Sequence, residues 1–166
     1  MKAPVCEICL KSGILCKSCN EKVESGIVSK TEVKVAEALL KLSGEKKQLR
    51  GIEILKVAES PEMLVVVCGE GSASRMIGAS GQIVRKLEKE FGKRIMIVEG
   101  SGDMNQFIRS LLKPLTVVSI NTLYKQGRET IKVVTSGRRH GQRISAKDFS
   151  GIIKAMYGKE AEIAGE

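Results

Sequence analysis

The sequence predicts an α+β protein in which a small metal-binding module precedes two units of similar build. Two Cys-x-x-Cys pairs stand close together near the N-terminus. An order of helix, strand, strand, helix, helix and strand follows them, as judged from hydrophobic periodicity and turn residues. Part of that order recurs later in the chain, which indicates an internal repeat. We expect three domains, at residues 1–26, 27–100 and 101–166.

The composition favours a nucleic acid as the partner. The 166-residue chain carries a formal net charge of +9 at pH 7, and its pI is near 9.4. Phosphates attract such a charge, whereas no apolar run approaches the roughly 18 residues of a membrane-spanning helix. Trp is absent and aromatic residues make up only 3 %, which argues against readers that stack bases on aromatic side chains. Because no signal-peptide pattern is present, we expect a cytoplasmic protein without a membrane partner.

The first element is a cluster of four cysteines. Cys6 and Cys9 form one Cys-x-x-Cys pair, Cys16 and Cys19 form a second, and six residues separate the two pairs. Four thiolates complete a tetrahedral metal site. The alternatives to zinc are two disulfides, a redox Cys-x-x-Cys motif and an iron–sulfur cluster. A cytosolic setting disfavours disulfides, and the βαβ context of a redox motif is missing here. The spacing predicts one structural Zn²⁺, whose binding is coupled to the folding of residues 1–26.

A helix and two strands come next. The segment Ser29-Lys30-Thr31-Glu32 is a capping box, so a helix begins there and runs to about Leu42. After a polar, lysine-rich connection, two apolar runs, Ile52–Ala58 and Met63–Cys68, flank a Ser60-Pro61 turn. We expect these runs to be two strands.

A glycine turn, Gly78-Ala79-Ser80-Gly81, stands between the second strand and an amphipathic helix. Its two glycines let the backbone turn sharply and leave no Cβ between the backbone and a ligand. The helix that begins at Gly81 has an apolar face through Phe91, and a strand follows at Ile95–Val98. The free N–H groups of this helix point outward and favour an anion, for which a nucleic-acid phosphate is the best candidate. The alternative to an anion-binding site is a tight turn that only connects two packed helices.

The residues around this turn resemble a KH domain. Ile77 directly precedes the first glycine, and Ile83 lies two residues after the second. In KH domains, the Gly-x-x-Gly loop clamps a four-nucleotide single-stranded stretch. The element order is that of the type II, or prokaryotic, form of the fold. The resemblance implies that Gly78–Gly81, hereafter the clamp loop, contacts RNA phosphates.

The remaining chain repeats this build. An offset of 66 residues, the separation of Ile83 and Phe149, superposes strands on strands. It also aligns Phe91-Gly92-Lys93, at the end of the first amphipathic helix, with Tyr157-Gly158-Lys159. With this offset, the clamp loop aligns with Ile144-Ser145-Ala146-Lys147. The second unit therefore lacks the two glycines of the clamp loop at this position. We expect a degenerate KH domain at residues 101–166.

A basic loop precedes that position. Three arginines, Arg138, Arg139 and Arg143, fall within six residues. Such a cluster concentrates phosphate-binding capacity, although a charge run can also be only a solvated face. His140 is the only histidine, and no nucleophile or paired carboxylate is identifiable beside it. We therefore expect no enzymatic activity and no small-molecule substrate.

The whole arrangement resembles the archaeal NusA-like transcription termination and antitermination proteins. The first KH-like unit is followed by Asp-x-x-x-Phe-Ile-x-x-Leu-Leu-x-Pro, from Asp103 to Pro114, and then by a second such unit. The resemblance implies tandem KH domains that form one RNA surface during transcription, without catalysis. The four-cysteine module is not part of the usual two-domain form of this family, and the second clamp is missing.

This resemblance implies that the ligand is single-stranded nascent RNA. RNA polymerase or another protein complex is then a candidate partner of the zinc module. One alternative is a ribosome-assembly or RNA-decay factor that uses the same surface on a different RNA. Another is an adaptor whose zinc module docks on a protein complex and whose RNA surface is vestigial. The predicted RNA contacts are Arg75, Ile77, Gly78, Ala79, Ser80, Gly81, Gln82, Arg85, Arg138, Arg139 and Arg143.

Overall fold

The structure contains two units. The computed structural model describes residues 1–100, 102–125, 127–137 and 144–165. Its backbone contacts divide the chain into a first unit, Met1–Ala58 with Leu64–Gly100, and a second unit, Glu59–Met63 with Ser101–Glu166. Helices and strands occur in both units, so the predicted α+β class is confirmed. No helix in the described part of the chain is long and apolar enough to cross a membrane.

The first unit begins with three helices. α1 (Glu7–Ser12) and α2 (Lys17–Glu24) are short, and each begins directly after the first cysteine of a Cys-x-x-Cys pair. The longer α3 (Lys30–Glu45) has the predicted capping box. Ser29 Oγ accepts the Glu32 N–H at 3.0 Å, and the Glu32 carboxylate accepts the Ser29 N–H in return. These reciprocal bonds fix the start of α3 at the predicted residue.

Three strands form the sheet of this unit, in the order β1 (Ile54–Glu59), β2 (Met63–Cys68) and β3 (Arg94–Glu99). The Gly69 N–H donates to the Glu53 carbonyl oxygen at 2.9 Å, so β1 and β2 are antiparallel. The Gly100 N–H donates to the Cys68 carbonyl oxygen at 2.8 Å. The C-terminal ends of β2 and β3 therefore lie together, and these strands run parallel. β2 is buried along its whole length, as its continuous apolar run predicts.

Two helices connect β2 to β3. They are α4 (Ala73–Ile77) and α5 (Gln82–Phe91), and a single 3-10 turn at Ala79–Gly81 separates them. α5 ends at Gly92, whose φ of 64° places it in the left-handed region. The clamp loop thus lies between two helices on the connection that joins the parallel strands.

The N-terminal segment shares its core with the rest of the first unit. Val5, Cys9 and Leu10 belong to the same buried cluster as Ala36 and Leu39 of α3. The backbone of Lys2 also pairs with residues 52–54 in a short parallel bridge beside β1. The predicted domain boundary at residue 26 stays a prediction, but no independent core separates the cysteine module from α3.

The second unit resembles the first in its order of elements, but one helix, not two, is described between its second and third strands. The elements are α6 (Met104–Leu112), β4 (Thr116–Lys125), β5 (Arg128–Ser136), α7 (Ala146–Tyr157) and β6 (Glu160–Gly165). β4 pairs with β5 in antiparallel fashion, and β5 pairs with β6 in parallel. Phe149 is fully buried, and Phe107 of α6 contacts Tyr157 of α7 edge to face, with ring centroids 5.8 Å apart.

The offset of 66 residues agrees with the elements of the structure. Gly92 ends α5 and Gly158 ends α7, both with left-handed backbones. The following strands begin at Arg94 and Glu160, again 66 residues apart. In both units, a helix precedes an antiparallel strand pair, and a second helix leads back to a parallel strand.

Candidate functional site

The clamp loop is a sharp turn built on left-handed backbone. Gly78 has φ 75° and ψ 173°, Ser80 has φ 50° and ψ 26°, and Gly81 has φ 73° and ψ 19°. The angles of Gly78 lie in a region open essentially to glycine alone. Those of Gly81 lie in the region that glycine adopts most readily. The path of the chain therefore requires the two glycines that the sequence provides.

The two glycines have different surroundings. A Cβ on Gly78 would lie 3.0 Å from Cδ1 and Cγ1 of Ile83 and 3.1 Å from Nε2 of Gln48. A Cβ on Gly81 would meet nothing closer than Nη1 of Arg85, at 4.0 Å. Gly78 is thus packed into the protein, whereas Gly81 borders open space. Between them, Ala79 and Ser80 are exposed.

The start of α5 favours an anion. No side chain caps this helix, and its first turn contains no acidic residue. The N-terminus of a helix carries a partial positive charge, which aspartate or glutamate often balances. Here the exposed Arg85 lies beside Gly81 instead, while the next residue, Lys86, pairs with Glu45 at 3.4 Å. Gln82, a predicted contact, is half-buried at the first position of the helix. Such an end can bind a phosphate.

Arg75 fixes the backbone near the clamp loop. Its Nε donates to the carbonyl oxygen of Gln48 at 2.8 Å, and its Nη2 donates to the carbonyl oxygen of Arg50. In return, Nε2 of Gln48 donates to the carbonyl oxygen of Arg75 at 3.1 Å. The RNA contact predicted for Arg75 stays a prediction, whereas this positioning role of Arg75 was not predicted. No local pattern could have revealed it, because Gln48 and Arg75 are 27 residues apart.

The two isoleucines around the clamp loop differ in exposure. Ile83 is only 1 % exposed and supports the turn from inside. Ile77 is 38 % exposed and leaves an apolar surface directly before Gly78. An exposed aliphatic side chain at this position offers an apolar contact surface next to the start of the clamp loop.

The corresponding position of the second unit is built differently. α7 begins after Ser145, whose Oγ accepts the Asp148 N–H at 3.1 Å. The first turn of α7 therefore has both a side-chain cap and an acidic residue, which α5 lacks. This helix start offers no open anion site. The predicted basic residues that precede it, Arg138, Arg139 and Arg143, lie outside the described residues, as does His140.

The four predicted metal ligands lie together at the N-terminus. The sulfurs of Cys6, Cys9, Cys16 and Cys19 all lie within 4.8 Å of one another. A tetrahedral site with metal–sulfur bonds of about 2.3 Å separates its sulfurs by about 3.8 Å, so the cluster has a suitable size. The Sγ atoms of Cys6 and Cys9 are 3.2 Å apart, beyond the roughly 2.05 Å of a disulfide bond. All four cysteines are free, and the cluster can bind a metal ion.

Helix geometry holds these sulfurs in place. Cys6 and Cys16 are the N-cap residues of α1 and α2, and Cys9 and Cys19 lie in the first turns. The Cys16 N–H donates to Sγ of Cys9 at 3.0 Å, and the Cys6 N–H donates to Sγ of Cys19 at 3.4 Å. Such bonds stabilise negative charge on the sulfurs.

The four thiols differ in acidity. Hydrogen bonds from the backbone N–H and the thiol of Cys9 lower the pKa of Cys6 to about 7. The Cys19 N–H is the main cause that lowers the pKa of Cys16. For Cys9, the hydrogen bond from the Cys16 N–H lowers the pKa. The hydrogen bond with Cys6 and burial outweigh this effect and raise the pKa of Cys9 to about 12. Since metals bind thiolates, metal binding at this cluster must release protons.

Comparisons with known proteins agree with the predicted resemblance. No protein-family model matches the chain. Three curated relatives are each named "Probable transcription termination protein NusA". The protein of Methanococcus vannielii is 29 % identical over 73 residues, or 44 % of this chain and 42 % of that protein. The protein of Methanocaldococcus jannaschii is 31 % identical over 68 residues, or 41 % and 37 %. The protein of Thermoplasma acidophilum is 27 % identical over 82 residues, or 49 % and 57 %.

The matches therefore span between 37 % and 57 % of these relatives. Among solved structures, the crystal structure of APE1850 superposes with a TM-score of 0.60. That match covers 79 % of this chain and 96 % of APE1850 at 20 % identity, which shows a shared fold. The predicted resemblance to archaeal NusA-like proteins is therefore confirmed by partial sequence similarity.

Proposed function

We propose that this chain binds single-stranded RNA at the clamp loop and acts as a NusA-like transcription elongation or termination factor. The open start of α5 carries the proposal, because it combines exposed Ala79 and Ser80 with Arg85 and with a helix N-terminus free of acidic groups. The names of the three relatives support a role in transcription. Nascent transcripts are single-stranded RNA and present the phosphates that such a site binds.

The proposal includes two KH-type domains in tandem, at residues 27–100 and 101–166. Their common order of helices and strands supports it. Only the first domain has the clamp loop, while Ser145 caps the equivalent helix of the second. We therefore assign phosphate binding by a Gly-x-x-Gly loop to the first domain. The second domain contributes through the basic residues Arg138, Arg139 and Arg143.

We also assign one structural Zn²⁺ to the four-cysteine cluster. Cys6, Cys9, Cys16 and Cys19 would hold it, and four thiolates at this spacing suit zinc best. Bound zinc would crosslink α1 and α2 and so fix residues 1–26. We propose no catalytic step, and place the protein in the cytoplasm.

A second candidate function is that of an adaptor. Ile8, Ile14 and Ile27 of the N-terminal segment are 79 %, 75 % and 68 % exposed. Exposed isoleucines around a metal module are suited to a protein contact, for which RNA polymerase is a candidate. The ribosome-assembly or RNA-decay alternative would use the same clamp loop, and the names of the relatives favour transcription over it.

A clamp variant tests the proposal. Ala79→Asp with Ser80→Asp places two negative charges where a phosphate would bind and spares both glycines. Aspartate tolerates the left-handed backbone of position 80. We expect the affinity for short single-stranded RNA to fall at least about tenfold, or about 1.4 kcal/mol, with little change in the thermal melt. Wild-type affinity in a normally folded variant would reject the clamp and favour the adaptor.

A further inference from the structure

The connection between α3 and β1 forms a basic corner beside the clamp loop. We define the basic corner as residues Lys47, Gln48, Leu49 and Arg50. A 3-10 turn, Lys47–Leu49, shapes it, and Leu49 is fully buried in the core. Lys47, Gln48 and Arg50 are exposed. A buried anchor therefore presents three polar or cationic side chains to solvent from a defined turn.

Hydrogen bonds join the basic corner to the helix that enters the clamp loop. Arg75 of α4 donates to the carbonyl oxygens of Gln48 and Arg50, and the Gln48 side chain donates back to the Arg75 carbonyl oxygen. Charged hydrogen bonds of this kind are among the stronger ones in proteins. Nε2 of Gln48 also lies 3.1 Å from the position that a Cβ on Gly78 would take. The basic corner is thus a fixed wall at the Gly78 end of the clamp loop.

The cations of this wall are available to a ligand. In the described parts of the chain, no ion pair involves Lys47, Arg50 or Arg85. The acidic residue nearest in sequence, Glu45, pairs with Lys86. Arg85 lies at the other end of the clamp loop, with Nη1 4.0 Å from the Cβ position of Gly81. Arg85 therefore lies at the Gly81 end of the clamp loop, while Lys47 and Arg50 flank Gln48, which borders the Gly78 end.

We propose that Lys47 and Arg50 bind phosphates of the RNA strand that continues past the Gly78 end of the clamp loop. The clamp loop of a KH domain holds about four nucleotides, and a longer strand must leave it on one side or the other. On the Gly78 side, the side chain of Gln48 in the basic corner borders the clamp loop. The inference rests on the proposed function of the clamp loop, and it extends the RNA footprint by about two phosphates.

The length of the RNA gives a specific test. We compare wild type with Lys47→Ala/Arg50→Ala on single-stranded RNAs of four and ten nucleotides, over a range of salt concentrations. Each phosphate contact to a single strand contributes about 0.7 to the slope of log affinity against log salt. We expect the slope for the ten-nucleotide RNA to become shallower by about 1.4, and its affinity to fall about fivefold. Binding of the four-nucleotide RNA is expected to change less than twofold.

A matched control removes the same charge elsewhere. Lys17→Ala/Lys34→Ala deletes two exposed lysines of α2 and α3 and keeps the basic corner intact. Equal effects from both double variants would show a net-charge effect and overturn the inference, as would an unchanged slope for Lys47→Ala/Arg50→Ala. Should the double variant melt early, Lys47→Ala alone is used, with an expected change in slope of about 0.7.

Failure of the proposed function has a different pattern. If Ala79→Asp/Ser80→Asp weakens the binding of both RNAs while the corner variant binds like wild type, the clamp loop binds RNA and the basic corner does not. If the clamp variant binds both RNAs like wild type, the proposed function fails, and the inference fails with it.

Discussion

The side chain of Ile83 occupies the space into which a Cβ on residue 78 would project, with Cδ1 and Cγ1 only 3.0 Å from that position. Gly78 is therefore required by packing as well as by its backbone angles. We expect Gly78→Ala to lower the free energy of unfolding by about 3 kcal/mol, because a strained backbone and a close contact add together. Denaturant unfolding measures this change.

Gly81→Ala is the matched comparison. Its φ of 73° is also unfavourable for alanine, but no atom lies closer than 4.0 Å to the added Cβ. We expect this variant to lose only about 1 kcal/mol. If the two variants were equally stable, the packing of Gly78 against Ile83 would not carry the stability assigned to it.

Metal removal should destabilise more than the cysteine module. Cys9 and Leu10 share one buried cluster with Leu39 of α3, so the loss of the metal disturbs the core of the whole first unit. Protein purified without added metal is expected to contain about one zinc per chain. Cys9→Ser should lose the zinc and lower the melting temperature by at least about 8 °C, corresponding to about 2 kcal/mol. Metal analysis and thermal melts measure both changes.

Cys68→Ala is the control for this experiment. Cys68 is buried in β2 and lies outside the four-cysteine cluster. The variant must therefore keep its zinc even if it loses some stability. A wild-type protein that contains no zinc and melts like a sample loaded with zinc would contradict the assignment.

The basic loop of the second unit can be tested by its salt dependence. Replacing Arg138, Arg139 and Arg143 with alanine should weaken RNA binding by a similar factor for every sequence. The slope of log affinity against log salt should become shallower by about 2, because three phosphate contacts are lost. An exposed triple-lysine control, Lys17→Ala/Lys34→Ala/Lys41→Ala, should leave the slope nearly unchanged. If the arginine variant also kept the wild-type slope, the loop would be only a solvated surface.

Local sequence signals predicted much of this structure. The capping box placed the start of α3 at Lys30, and the most apolar run gave the bounds of β2 without error. The clamp loop was predicted at its observed residues because glycine is the residue that positive φ selects. These features depend only on residues that are close together in the sequence, so they can be predicted from one sequence.

Other features depend on distant partners and could not be predicted. α1 has six residues and α2 has eight, too short for a helical period to show in the sequence. The pairing of Lys2 with Glu53 joins distant segments of the chain. Arg75 was predicted as an RNA contact, and only the fold brings the carbonyl oxygen of Gln48 to its guanidinium. The turn at Gly78–Gly81 was therefore predicted from the sequence, whereas the hydrogen bonds between Arg75 and the basic corner were not.

The most direct measurement of RNA binding at the clamp loop is an NMR titration of the wild-type protein with a four-nucleotide single-stranded RNA. The backbone amides of the clamp loop and of the first turn of α5 report on a phosphate bound there. We expect the largest chemical-shift changes at Gly78 through Gln82, with smaller changes across the second unit. Changes confined to the second unit or to the cysteine module, with unmoved amides at Gly78–Gln82, would contradict the account.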